Sequence, residues 1–138
     1  MYPHWDKTPK SEADWIQALI NLARYLRSPD GCPWDREQTS ATLAAFVRDE
    51  THELVEAIAT GDSDHIAEEL GDVLFVLLVA AAAAEEEGKL VLADALHRTH
   101  EKMIRRHDHV FGESSADSPE QVIDSWRRIK EQEKNGGI

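Results

Sequence analysis

One acidic residue stands where a helical core would place an apolar side chain, and three more candidates stand beside such positions. An apolar seam runs Leu43, Val47, Leu54, Ala57 at spacings of four, seven and three, and the position missing from that rhythm is Glu50. Asp49 and Glu53 flank it as helical neighbours. Further on, the seam Ile66, Leu70, Val73, Leu77 has Glu69 and Asp72 beside it, three apart on one face. Like charges at such spacings cost about 0.2 to 0.5 kcal/mol per pair even when solvated, and partial burial costs more. Carboxylates placed this way either stay protonated or take a cation. Four oxygen donors, Glu50, Glu53, Glu69 and Asp72, with no cysteine cluster nearby suit a hard ion, Mg²⁺ first and Mn²⁺ as a substitute. Glu56, Glu68 and the run Glu85 to Glu87 read as an ordinary solvated face.

The elements that must carry these acids are helices, because apolar residues return every three or four positions and few β-branched runs alternate. The fold class is therefore all-α, a bundle of about five helices. The first opens at Ser11 as N-cap, carries Trp15, Leu19, Leu22 and Leu26 on one stripe, and stops at Ser28 to Gly31. Gly31 to Gln38 reads as tight turns without regular structure. A second helix runs from about Ser40 to Ala59 and breaks at Thr60 to Asp62. Ser63 or Asp62 caps the third, which ends near Gly88. The fourth spans about Leu92 to His107, an irregular stretch follows from Asp108 to Asp117, and Ser118 and Pro119 open a fifth that ends near Asn135. Gly136 to Ile138 are expected to fray. Successive helices two and three, running antiparallel, would let the two acid pairs converge.

Size and charge narrow the function classes. A chain of 138 residues fits one domain, 1–138. A net charge of −12 repels the phosphates of nucleic acid and anionic headgroups, so neither nucleic acid nor a membrane surface is an expected partner. The longest apolar stretch, Val73 to Ala84, falls short of the roughly 20 residues needed to cross a bilayer. Cys32 is the one cysteine and the N-terminal residues lack the apolar core of a secretion signal, which points to the cytoplasm. Because Val73 to Ala84 is apolar all round, that helix needs neighbours on every side. A four-helix core completed by homo-oligomerisation, as a homodimer or homotetramer, is expected.

The motifs also resemble a known family. Asp49-Glu50-Thr51-His52-Glu53 followed by Glu69-Leu70-Gly71-Asp72 is similar to the EExxE and ExxD signature of MazG-type nucleoside triphosphate pyrophosphohydrolases. Gly31 to Thr39 resembles the family's loop before the first acidic motif, Glu101 to Gly112 its late-helix segment and Trp126 to Lys130 its end, so the likeness covers the chain from about Leu26 onward. The resemblance implies an all-α homo-oligomer that hydrolyses a nucleoside triphosphate between the α and β phosphates, with Mg²⁺ as cofactor, in nucleotide-pool house-cleaning. Carried over by position, it implies Glu50, Glu53, Glu69 and Asp72 as metal ligands and Lys102, Arg106, Trp126 and Lys130 as nucleotide contacts. Two departures stand out: Asp49 replaces the first Glu of the signature, and Asp108 replaces a usual Pro.

On this reading the ion draws the phosphate chain into an acidic site and activates a water, with Asp49 or one oxygen of Glu53 as the catalytic proton acceptor. Lys102 and Arg106, four apart, would neutralise charge on the departing pyrophosphate, and Trp126 and Lys130, also four apart, would meet the nucleoside or its phosphates. Periodicity by itself reads several of these differently. Trp126 lies on the stripe Val122, Ile123, Trp126, Ile129 and counts as core; Lys102 and Arg106 count as solvated cations; Trp34 counts as a plug at the bundle end rather than a surface for a base. His97, His100, His107 and His109 match no compact zinc spacing. A di-iron bundle would need Glu-x-x-His on two helices, which neither acid pair supplies. The alternative to an enzyme is a non-catalytic dimeric helical module that holds a structural cation.

Overall fold

A computed structural model describes residues 2–136, and among them there are seven helices and no strand. They are α1 (Glu12–Leu26), α2 (Pro33–Glu37), α3 (Ser40–Thr60), α4 (Ser63–Glu86), α5 (Leu92–Arg106), α6 (Asp108–Phe111) and α7 (Pro119–Gly136). The all-α expectation holds, and the five long segments are α1, α3, α4, α5 and α7. The two additional elements correct the sequence reading. Pro33 occupies the first turn of α2, where its missing N–H costs nothing, so a segment expected to be irregular turns once as helix. The stretch after His107 likewise begins with the single turn of α6. Gly136 closes α7, while Gly137 and Ile138, part of the expected frayed tail, lie outside the described residues.

Local chemistry sets the boundaries. Ser11 caps α1, its side chain accepting from the Asp14 N–H while Asp14 accepts from the Ser11 N–H. Thr39 and Thr42 do the same for α3. Gly61 ends α3 at φ 75, a left-handed turn that suits only a residue without a Cβ, and Asp62 then caps α4 by accepting from the N–H groups of Asp64 and His65. This two-residue connection folds α3 and α4 into an antiparallel hairpin.

The chain divides into two compact units, 1–92 and 93–138. In the first, α4 packs against both α3 and α1. Ala23, Leu43, Val79 and Ala83 form its core, with Phe75, Leu78 and Ala80 against it. On α4 the buried positions are Glu69, Val73, Val79, Ala82 and Ala83, whereas Leu70 and Leu77 are nearly half exposed. The expected seam on this helix was therefore rotated. The face that packs against α3 and α1 begins at Glu69, not beside it, and Leu70 and Leu77 belong to a second apolar face. Trp15 and Ile16 on α1 and Val55 and Ile58 on α3 are exposed as well. In the second unit, one carboxylate ties α5 to α7: Glu133 accepts from Arg105 at 2.8 Å and from Arg106 at 3.1 Å. Ser125 and Ile129 are the buried residues of α7. No helix among the described residues is long and apolar enough to cross a membrane.

Candidate metal centre

One turn of α3 and one of α4 bring acids together at the hairpin. Glu50, on the buried stripe of α3, faces Glu69 and Asp72 of α4, and one carboxylate oxygen from each of the three lies within 4.8 Å of the others. Glu69 is buried, Glu50 half-buried and Asp72 exposed, so the group opens from the hairpin interior toward solvent. Glu53, one turn along α3, stands close enough to hydrogen-bond either Glu50 or Glu69 when one of the pair is protonated. Three of the four acids singled out in the sequence therefore converge, with Glu53 beside them.

The electrostatics of the group are unbalanced. Burial, then the charges of Glu53 and Asp72, push the Glu50 carboxyl above its ordinary value, and the same causes in the same order raise Glu69. Glu50 Oε2 and Glu69 Oε2 are buried without any hydrogen-bond partner. A buried carboxylate oxygen with no donor is costly, and neither helix supplies a Lys or Arg to the group. Among the described residues, the basic side chain paired with the group is His65, whose Nε2 lies 3.5 Å from Glu69 Oε1, one turn earlier on α4. Its i, i+4 spacing to Glu69 was visible in the sequence and passed over. The donors are all hard oxygens, and their separation suits a divalent ion with metal–oxygen bonds of about 2.0 to 2.6 Å. On these grounds the residues fit a divalent cation.

The remaining candidates fall elsewhere. Asp49 is not part of the group: its side chain is 65% exposed and pairs with Arg48 at 3.4 Å. In the second unit, Arg106 is held by Glu133, and Lys102 has no acidic partner within 4.0 Å among the described residues. Trp126 is 38% exposed with its ring edge-on to His107 at 5.3 Å, so it is not the core residue that periodicity suggested. Lys130 is exposed. Trp34 does not plug the bundle: it is 49% exposed and packs edge-on against Phe46, at 5.5 Å between ring centres. Phe46 was missed in the sequence, although it lies one helical turn before Glu50.

The family model for the MazG nucleotide pyrophosphohydrolase domain matches residues 38–111, more than half of the chain, and the matched segment contains Glu50, Glu53, Glu69 and Asp72. The chain belongs to the MazG nucleotide pyrophosphohydrolase family. It is 42% identical over 120 residues to a nucleoside triphosphate pyrophosphohydrolase of Escherichia coli, an overlap covering 86% of this chain and 46% of that protein. It is 43% identical over 119 residues to the nucleoside triphosphate pyrophosphohydrolase/pyrophosphatase MazG of Thermotoga maritima, covering 86% of this chain and 45% of that one. The chain thus spans under half the length of these curated relatives. Among solved structures, a mazG-related protein from Thermotoga maritima superimposes with a TM-score of 0.70 at 29% identity, over 83% of this chain and 98% of that one. The MazG match also takes in Lys102 and Arg106, while Trp34, Trp126 and Lys130 lie outside it.

Proposed function

We propose that this protein is a Mg²⁺-dependent nucleoside triphosphate pyrophosphohydrolase that cleaves between the α and β phosphates to release the nucleoside monophosphate and pyrophosphate. The observation that carries the reading is the convergence of Glu50, Glu69 and Asp72 oxygens within 4.8 Å, together with a buried, partnerless carboxylate oxygen on both Glu50 and Glu69, in a chain of the MazG family. Glu50, Glu53, Glu69 and Asp72 would hold the ion, with Mn²⁺ as a substitute. When bound, the ion supplies charge neutralisation for the phosphate chain and polarisation of the phosphorus under attack.

The chain's own residues do the rest. Glu53 touches Glu50 and Glu69 and also faces solvent, so it can take a proton from an attacking water; Asp49, one residue before Glu50 and open to solvent, is the second candidate for that role. Lys102, with no acidic partner within 4.0 Å among the described residues, can bind phosphate oxygens, and Lys130 and Trp126 are exposed enough to meet a nucleotide. Arg106 would act from its anchored position on Glu133, which fixes the guanidinium at the expense of part of its charge. The family match crosses the boundary at residue 92, which supports reading 1–138 as one functional domain. The exposed Leu70, Leu77, Val55 and Ile58 support a homodimer or homotetramer, and a nucleotide substrate with a single cysteine fits the cytoplasm and a house-cleaning role.

The test is product identity. Purified protein with Mg²⁺ and a panel of common and damaged nucleoside triphosphates is expected to yield monophosphate and pyrophosphate, with Glu53→Gln strongly impaired. Asp49→Asn in parallel separates the two proton acceptors. Orthophosphate as the only product would refute the cleavage position, and a complete absence of turnover would favour the non-catalytic helical module with a structural cation.

A further inference from the structure

We propose that the rings of Trp34 and Phe46 form the surface on which the base of the nucleotide lies. This rests on the reading above, in which the acids of α3 and α4 mark the phosphate end of the substrate. At 3.6 residues per turn, Phe46, Glu50 and Glu53 fall within about 60° of one another around α3. Phe46 stands about 6 Å along the helix axis from Glu50 and about 10 Å from Glu53, room for the ribose that joins a base to its phosphates. All of these residues lie within the first unit.

The exposure of the pair is built, not incidental. Trp34 sits on α2, and the segment around it is fastened at several points. The Arg27 side chain, only 6% exposed, donates to the Asp35 carbonyl at 2.5 Å and to Glu86 at 2.6 Å. Arg36 donates to the Pro29 carbonyl at 2.8 Å, and the Cys32 N–H donates to the Leu26 carbonyl at 2.7 Å. Gly31 lies so close to the Tyr25 and Leu26 carbonyls that a Cβ there would collide with both. A loop this firmly held nevertheless leaves its indole 49% exposed, against a phenyl ring that is 40% exposed. The two rings meet edge-on at 78°, an arrangement that leaves ring surface uncovered for a third aromatic. A nucleobase supplies such a ring and needs no hydrogen-bond partner to stack.

The test compares ligands with and without a base. Binding of α,β-methylene ATP, α,β-methylene UTP and inorganic tripolyphosphate, each with Mg²⁺, is measured by calorimetry on wild type, Trp34→Ala, Trp34→Phe and Phe46→Leu. Loss of a stacked aromatic is expected to weaken nucleotide binding to Trp34→Ala roughly 5- to 150-fold, while its affinity for tripolyphosphate stays within about twofold of wild type. Trp34→Phe, which keeps a ring, recovers most of the loss, and Phe46→Leu shows a smaller one. Equal losses for nucleotide and tripolyphosphate, or a wild type that binds tripolyphosphate as tightly as either nucleotide, would overturn the inference. So would unchanged nucleotide affinity in Trp34→Ala together with altered mass by light scattering, which would assign the rings to a second copy of the chain. A wild type that binds none of the three probes would instead overturn the phosphate-end reading, and this inference with it.

Discussion

Replacing Glu50 by Gln should stabilise the protein without metal and abolish its response to metal. Glu50 has two carboxylate neighbours whose oxygens lie within 4.8 Å, and each such pair of charges repels by roughly 0.9 kcal/mol at the dielectric of water. Screening at a half-exposed group holds the total near 1 kcal/mol. The amide keeps the shape and removes the charge. For a chain of 138 residues, with an unfolding entropy of about 2.1 cal/mol/K per residue, that gain corresponds to a rise in Tm of about 3 °C. The pH dependence follows from the direction of the shift. The Glu50 carboxyl is raised above its ordinary 4.5 by burial and by Glu53 and Asp72, so the penalty for its ionisation is absent below that value. It grows as pH rises through the interval and is complete above the raised value. The advantage of Glu50→Gln should thus be present at pH 7.5 and gone at pH 4. Added Mg²⁺ should raise the wild-type Tm by about 9 °C at 100 times its dissociation constant, and the variant's hardly at all. Differential scanning calorimetry with EDTA and with Mg²⁺ measures all four quantities. A variant less stable than wild type in EDTA at pH 7.5, or one that keeps the full Mg²⁺ shift, would refute the reasoning.

Three further outcomes follow from the fold. Leu43 is 1% exposed at the centre of the first unit's core, so Leu43→Ala should cost about 2 to 5 kcal/mol, visible in urea denaturation as a lower midpoint at an unchanged slope. Glu87 accepts from the Ser40 N–H and hydroxyl, which lowers its carboxyl to about 2; the stability this contact gives is full above pH 4.5 and is lost as pH falls toward 2, so Glu87→Gln should flatten that acid limb in a pH series followed by circular dichroism. If the second apolar face of α4 joins copies of the chain, Leu77→Glu should reduce the mass measured by light scattering to that of the monomer while leaving the helical signal intact.

The sequence made the helices legible because their caps are local. Ser11 with Asp14, Gly61 and Asp62 each act through neighbours a few residues away, and their positions held. The acidic group was legible for a related reason. Charge at a seam position conflicts with burial, and Glu50 showed that conflict in its own helix. Glu69 was found by its spacing to Asp72, but its place was misjudged by one position, since the face of α4 that packs inward depends on α3 and α1, which periodicity along α4 does not report. The same limit applies to Trp34 and Trp126. Trp126 lies on a stripe, which predicts burial only when a neighbouring element covers it, and it is 38% exposed; Trp34 reads as a plug from a loop whose packing no periodicity reports, and it is 49% exposed. The short turns α2 and α6 escaped because a single turn of helix leaves no periodic trace. The link between Glu133 and both Arg105 and Arg106 joins residues some 28 positions apart, beyond any local signal.

The account stands or falls on whether a divalent ion binds among Glu50, Glu53, Glu69 and Asp72. Crystals of the protein grown with Mn²⁺ and measured near the manganese absorption edge answer this directly. The predicted result is an anomalous difference peak enclosed by those four carboxylates. A peak elsewhere, or well-ordered carboxylates at saturating Mn²⁺ with no peak among them, would contradict it.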